Sequence, residues 1–154
     1  MKRIDGILYP TVDETKISGF FGEYRFLSNF HICNVEVDGI LYGSSEAAYM
    51  AQKTDDHDIK MKFASITVPR EAKKLGRKID LIPNWDSKKL QAMLKVNYAK
   101  YTQNPELRKL LIETGDKILI EENYWNDVYW GVCSGKGENM LGKVLMKIRD
   151  EIST

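Results

Sequence analysis

Residues 18–53 read SGFFGEYRFLSNFHICNVEVDGILYGSSEAAYMAQK. In 32–42 the apolar Ile32, Val35 and Val37 lead to Asp38-Gly39 and then Ile40, Leu41 and Tyr42. Asp-Gly accepts the positive φ of a tight turn, so this is a hairpin signal. Directly after it, Ser44 or Ser45 can cap a short helix that carries Glu46, Tyr49 and Lys53. At about 100° per residue, Glu46 and Lys53 fall about 20° apart on one helix face and about 10 Å apart along the axis. They can converge on one bound sugar. Ahead of the hairpin, Phe20-Phe21 has strand character up to Gly22, and residues 23–30 form a loop or single turn holding Arg25, Ser28 and Asn29.

Outward from this stretch, residues 1–17 hold short β-prone fragments such as Ile7-Leu8-Tyr9, stopped by Pro10, and are expected as an edge strand or arm. Beyond it, Ile59, Phe63 and Ile66 recur at helical spacing. Pro69 suits a first helical turn, and Gly76 is placed to close that helix. The longest helix is expected from Asp86 or Ser87 to Gln103, with Leu90, Met93, Leu94, Tyr98 and Tyr101 on its apolar stripe. Lys88, Lys89, Lys95 and Lys100 form its basic face. Asn104-Pro105 opens another helix that Gly115 ends, and Ile118-Leu119-Ile120 is a short strand. A last helix runs from about Glu138 to Ile152. About six helical segments and about five short strands, the strands split between the two ends, argue for an α+β fold dominated by helices.

The chain has 154 residues, enough for one domain with one sizeable core, so 1–154 is expected as a single domain. Hydrophobic residues at 43% and charged residues at 29% suit a globular protein and argue against disorder. A formal net charge of +1 supplies no bulk attraction to nucleic acid, so any such contact needs a local basic patch. Cys33 and Cys133 have no C-x-x-C partner and no neighbouring His cluster, which argues against a zinc site. Free buried thiols in a reducing cytoplasm are the expected state, with a single Cys33–Cys133 disulfide as the alternative. Asp5, Pro10, Asp13 and Glu14 break any apolar run at the start, so no signal peptide or membrane span is expected there.

Several motifs together resemble one family. The run FFGEYRFLSNF at 20–30, EAAYMAQK at 46–53, Trp85 ahead of a helix, Thr114-Gly115-Asp116, Glu121, DVYWG at 127–131 and GENMLG at 137–142 with Arg149 are similar to the NADAR, or YbiA-like, family. The resemblance covers about residues 18–150 and keeps the family's order. Ala47, His31 and Cys133 depart from its usual residues. It implies a YbiA-like α+β fold with a small, mainly antiparallel sheet. It also implies an N-glycosidase that needs no metal and no cofactor. Its substrate would be ADP-ribosylated guanine in nucleic acid or a ribosylaminopyrimidine phosphate of riboflavin synthesis.

Cleaving an N-glycosidic bond builds positive charge on the anomeric carbon while the base leaves with the bonding electrons. The site therefore wants a carboxylate near that carbon, a proton or hydrogen bonds for the base, and a stacking surface. Glu46 can orient the attacking water or stabilise the cationic state; its plainer alternative is a carboxylate that favours a helix N-terminus. Lys53 can hold a phosphate or, deprotonated, attack as a Schiff-base nucleophile; the alternative is a solvated lysine at a helix end. Asp127 is the candidate second carboxylate, or a loop cap. Trp85 and Trp130 are candidate stacking surfaces, or core residues. Arg25, Ser28 and Asn29 can bond ribose or phosphate oxygens, and Asn139 can meet a phosphate at a helix N-terminus or cap it. With the resemblance, Phe21, Gly22, Tyr49 and Gly131 join the substrate-binding candidates. The expectation is that 18–53, Trp85 and 127–130 meet in one cleft. The rival reading is a non-catalytic module that binds ADP-ribose or a nucleotide.

Overall fold

The computed structural model describes residues 1–153. The chain forms two compact units, one of Met1–Ser28 with the chain from Arg108 onward, the other Asn29–Leu107.

In the first unit, β1 (Lys2–Ile4) and β2 (Ile7–Tyr9) make an antiparallel hairpin, with Asp5 and Gly6 at positive φ in its turn. The expected arm is thus a folded hairpin, whose two-residue Asp-Gly loop matches the twist of its strands. β3 (Thr11–Val12) and β4 (Lys16–Ser18) follow as an antiparallel pair. Phe20 and Phe21 are not in a strand: the chain leaves β4 and winds into a 3₁₀ helix over Gly22–Leu27, burying Phe26 and Leu27.

The second unit begins with the hairpin read from the sequence, β5 (Ile32–Val37) against β6 (Ile40–Ser44), with Asp38 and Gly39 both at positive φ. Next come α1 (Ser45–Ala51), α2 (His57–Ala64), α3 (Pro69–Gly76) and α4 (Trp85–Gln103). Every residue of α1 is buried. A seven-residue helix is marginal in water, so packing must hold it. The small side chains of Ala47, Ala48 and Ala51 let neighbours approach, and α3 comes so close that a Cβ on Gly76 would lie 2.1 Å from Met50 Sδ. Gly76 is therefore the last helical residue and a packing glycine; the cap expected there falls on Arg77.

The register of α4 differs from expectation. Its buried side is Trp85, Met93, Val96, Asn97, Lys100 and Tyr101, while Leu94 is half-buried and Tyr98 is exposed. An apolar template misplaces the stripe because two polar residues, Asn97 and Lys100, are fully buried. The expected basic face also breaks up. Lys100 is buried over the Tyr101 ring, 5.1 Å from its centroid, and Lys95 is paired to Asp38 at 2.7 Å.

α5 (Pro105–Glu113) leads back to the first unit, where β7 (Ile118–Ile120) pairs in parallel with β4. β8 (Glu122–Asn123) pairs in parallel with β9 (Val132–Cys133), and α6 (Met140–Ile152) packs on β7. Its apolar stripe, Leu141, Val144, Leu145, Ile148 and Ile152, is buried as the periodicity predicts. The fold is α+β and rich in helix. Its strands, however, form four small sheets among the described residues, and two of the pairings are parallel. Both cysteines are free and half-buried. No helix among the described residues is long and apolar enough to cross a membrane.

Candidate functional site

In the second unit the first turn of α1 is pinned from several sides. Ser44, in extended conformation, accepts the Ala47 N–H on its Oγ at 3.1 Å, so it is the helix cap. The Glu46 N–H, which has no partner inside the helix, donates to the Asn29 carbonyl at 3.1 Å. The Ser45 hydroxyl donates to Asn29 Oδ1 at 2.9 Å. These bonds fix the backbone that bears the Glu46 side chain, and Glu46 is 6% exposed.

The helix is shorter than the sequence suggests. It ends at Ala51, and the Lys53 N–H bonds back to the Met50 carbonyl at 3.2 Å, the i→i−3 pattern of a tightened final turn. Lys53 therefore lies beyond the helix, not two regular turns along its face. The ammonium and the carboxylate are nonetheless electrostatic neighbours. Burial pushes the Lys53 pKa below its ordinary value; the Glu46 charge pulls it back up, and Arg77 and Lys73 push it down again. Lys73 Nζ sits 5.7 Å over the Phe30 ring. Arg70, Lys73 and Lys74 of α3 and Arg77 at its C-cap fall within about 100° of helical arc, away from the buried Pro69, Ala72 and Gly76. The sequence reading missed this basic face, although its i, i+3, i+4, i+7 spacing was the available signal.

Tyr49 and Trp85 pack with ring centroids 5.6 Å apart at 49°. Trp85 is the first residue of α4 and 8% exposed, so packing alone accounts for it; a stacking role needs its ring uncovered. A depression of about 470 Å³ next to it is lined by Leu81, Ile82, Asn84, Trp85, Asp86 and Ser87. Asn29 is buried, and its side chain faces Ser45 and the Met93 sulfur.

The remaining candidates belong to the first unit. Phe21 stands at the N-terminal end of the 3₁₀ helix, Gly22 takes φ +57°, Arg25 is exposed, and the Ser28 N–H closes the turn on the Arg25 carbonyl at 2.9 Å. Half-buried Asp127 caps its own loop, Oδ1 accepting from Trp130 N–H at 2.9 Å and Tyr129 N–H at 3.3 Å. Trp130 is half-buried and meets Tyr129 edge-on with centroids 4.7 Å apart.

Gly131 and Asn139 have clear packing reasons. A Cβ on Gly131 would lie 2.2 Å from the Glu121 carbonyl oxygen. Asn139, at φ +53°, does not cap α6 with its side chain. It bridges to the strand region instead, Oδ1 accepting the Glu121 N–H at 2.9 Å and Nδ2 donating to the Leu119 carbonyl at 2.8 Å. Gly142 completes this contact, since a Cβ there would lie 2.1 Å from the Leu119 carbonyl oxygen.

The candidates thus fall into two groups: Asn29, Glu46, Tyr49, Lys53 and Trp85 in one unit, and Phe21, Gly22, Arg25, Ser28, Asp127, Trp130, Gly131 and Asn139 in the other. The first group sets a buried carboxylate near a partly desolvated amine, with further cations beside it. Such an arrangement can stabilise a developing sugar cation and hold an anionic substituent.

Known proteins resemble this chain in fold and in sequence. The NADAR domain family model matches residues 18–153, across both units. The chain is 37% identical over 134 residues to N-glycosidase YbiA of Escherichia coli (strain K12), covering 85% of this chain and 83% of that protein. It is 34% identical to an N-glycosidase of Nostoc punctiforme, covering 84% and 86%. A riboflavin biosynthesis protein of Vibrio vulnificus is also 34% identical, over 84% of this chain but 36% of that longer protein. The NMR structure of the E. coli protein YbiA superposes with a TM-score of 0.82 at 35% identity, covering 93% of this chain and 88% of that one.

Proposed function

The chain belongs to the NADAR domain family, and we propose that it is an N-glycosidase that hydrolyses the bond between a ribosyl or ADP-ribosyl group and a nitrogenous base. The observation that carries this reading is the buried Glu46 carboxylate in electrostatic reach of the half-buried Lys53 amine. The names of the relatives support the reaction class.

In the reaction, the bond from the anomeric carbon to the base nitrogen breaks, and the base leaves with the electron pair and gains a proton. Water supplies the oxygen of the new C–O bond and releases a proton. Glu46 orients that water and offsets the charge on the anomeric carbon. Lys53, with Lys73 and Arg77 as neighbouring cations, holds an anionic group of the substrate. Asp127 is assigned to proton delivery or recognition of the base edge and Trp130 to stacking, roles that rest on the family motif.

Of the two substrate types, a ribosylaminopyrimidine phosphate is the first to test, because one relative is named for riboflavin biosynthesis. ADP-ribosylated guanine in nucleic acid is the second. Either would be met in the cytoplasm.

The test is release of free base from both substrates, followed by chromatography and mass spectrometry. Wild-type protein should release base from at least one, and Glu46→Gln should lower kcat by about 100-fold or more while the fold is kept. Binding of ADP-ribose with no base released from either substrate would overturn the enzyme reading in favour of a binding module. Borohydride under turnover separates the two roles of Lys53: a trapped adduct at Lys53 marks covalent catalysis, and its absence leaves anion binding.

A further inference from the structure

The sulfur of Met93, on α4, receives two side-chain amides. Asn29 Nδ2 donates to Met93 Sδ at 3.2 Å, and Asn97 Nδ2 donates to the same sulfur at 3.3 Å. All three residues are buried. A thioether sulfur only accepts, so both amides must turn their NH₂ groups toward it.

For Asn29 this settles the orientation. With Nδ2 on the sulfur, Oδ1 faces Ser45, whose hydroxyl donates to it at 2.9 Å, while the Asn29 carbonyl takes the Glu46 N–H at 3.1 Å. For Asn97 the arrangement leaves a deficit. Its Nδ2 also donates to the Met93 carbonyl at 3.1 Å, and its Oδ1 is buried without a partner. A buried acceptor without a partner lowers stability, and an apolar residue would avoid that cost. Stability alone therefore does not account for an amide at position 97.

We propose that Met93 is a positioning residue for the Glu46 centre. Its thioether, as shared acceptor of the Asn29 and Asn97 amides, fixes Asn29 with Oδ1 toward Ser45 and so sets the first turn of α1 that bears the Glu46 carboxylate. The inference rests on the catalytic role proposed for Glu46. It assigns Asn29 a place behind the reacting groups, not among the groups that touch substrate. Asn97 is the second amide that holds the sulfur in place.

Met93→Leu keeps the volume and removes the acceptor; Met93→Gln keeps an acceptor at similar reach. In the full chain, Met93→Leu should lower kcat about tenfold with KM within about twofold. The Asn29 and Asn97 side-chain amide resonances should shift in the ¹H–¹⁵N spectrum, while the urea midpoint falls by no more than one unpartnered buried amide costs. Met93→Gln should recover most of kcat. Wild-type kcat in Met93→Leu overturns the proposal. So does equal impairment of both variants in step with their urea midpoints, because that marks packing and not the acceptor. Glu46→Gln, measured alongside, separates the two claims: if it turns over like wild type, the role of Glu46 falls. The amide resonances then judge the network alone, and unmoved resonances in Met93→Leu overturn it.

Discussion

Gly142→Ala tests whether the GENMLG motif at 137–142 holds the fold and not the substrate. In a helix interior alanine is ordinarily favoured over glycine by about 1 kcal/mol. Here its Cβ would lie 2.1 Å from the Leu119 carbonyl oxygen, where ordinary contact begins at 3.4 Å, and 2.4 Å from Asn139 Nδ2. Backbone cannot swing aside like a side chain, so α6 must withdraw from β7 by about 1.3 Å. That stretches both Asn139 bridges, now 2.8 and 2.9 Å, past hydrogen-bonding distance. Two lost bonds at about 1 kcal/mol each, plus about 1–3 kcal/mol of overpacking, less the propensity gain, leave a net loss of about 2–4 kcal/mol. For a chain of this length the melting temperature should fall by about 5–15 °C, read by circular dichroism. Gly135→Ala is the control. Gly135 has φ +77° with nothing within 4 Å, so only backbone strain of about 1–2 kcal/mol applies. A Gly142→Ala protein that melts at or above the wild-type temperature would refute the packing account and return the motif to the list of substrate contacts.

Ser44→Ala removes the one side-chain cap of a seven-residue helix. It should cost about 1 kcal/mol in urea unfolding, and an unchanged midpoint would mean that Asn29 alone holds the first turn. Lys53 predicts a pH trend. Its pKa is lower folded than the unfolded 10.5, so in the interval between them the unfolded chain binds more protons and stability rises with pH. The gain is fully present above 10.5 and lost as pH falls through the folded value. Urea midpoints of wild type minus those of Lys53→Met should rise on approaching pH 10.5; a flat difference would show that Lys53 is not desolvated.

The parts legible in the sequence are those where one local rule decides. Asp38-Gly39 set the hairpin turn, Pro69 opened α3, Gly115 closed α5 at φ +62°, and the stripe of α6 is apolar throughout. The errors arise where tertiary contact overrides the local rule. Gly76 looked like a helix stop but is set by Met50, and the 3₁₀ winding of Gly22–Leu27 has no distinct periodicity to betray it. Among the candidate residues, the sequence spacing that pairs Glu46 with Lys53 matches their electrostatic proximity in the structure, though by a route other than a regular helix. Lys73 of α3 and Arg77 at its C-cap follow an i, i+4 spacing that is legible in the sequence. The parallel pairing of β4 with β7 joins residues about a hundred positions apart, which no local pattern encodes.

The misread register of α4 carries the most information about the site. A template that rewards apolar residues every third or fourth place chose Leu94 and Tyr98, and the molecule buries Asn97 and Lys100 in their stead. Asn97 keeps its Oδ1 buried without a partner, a cost that persists where something other than stability requires the residue. On α4 the buried side that contains Asn97 also contains Met93, whose sulfur reaches Asn29 and through it the turn of Glu46. A seven-residue helix cannot place a carboxylate accurately by its own hydrogen bonds, since few of them lie within it. Its accuracy has to be supplied from outside, and Asn97 on the buried side of α4 is where the sequence departs from core patterning to supply it.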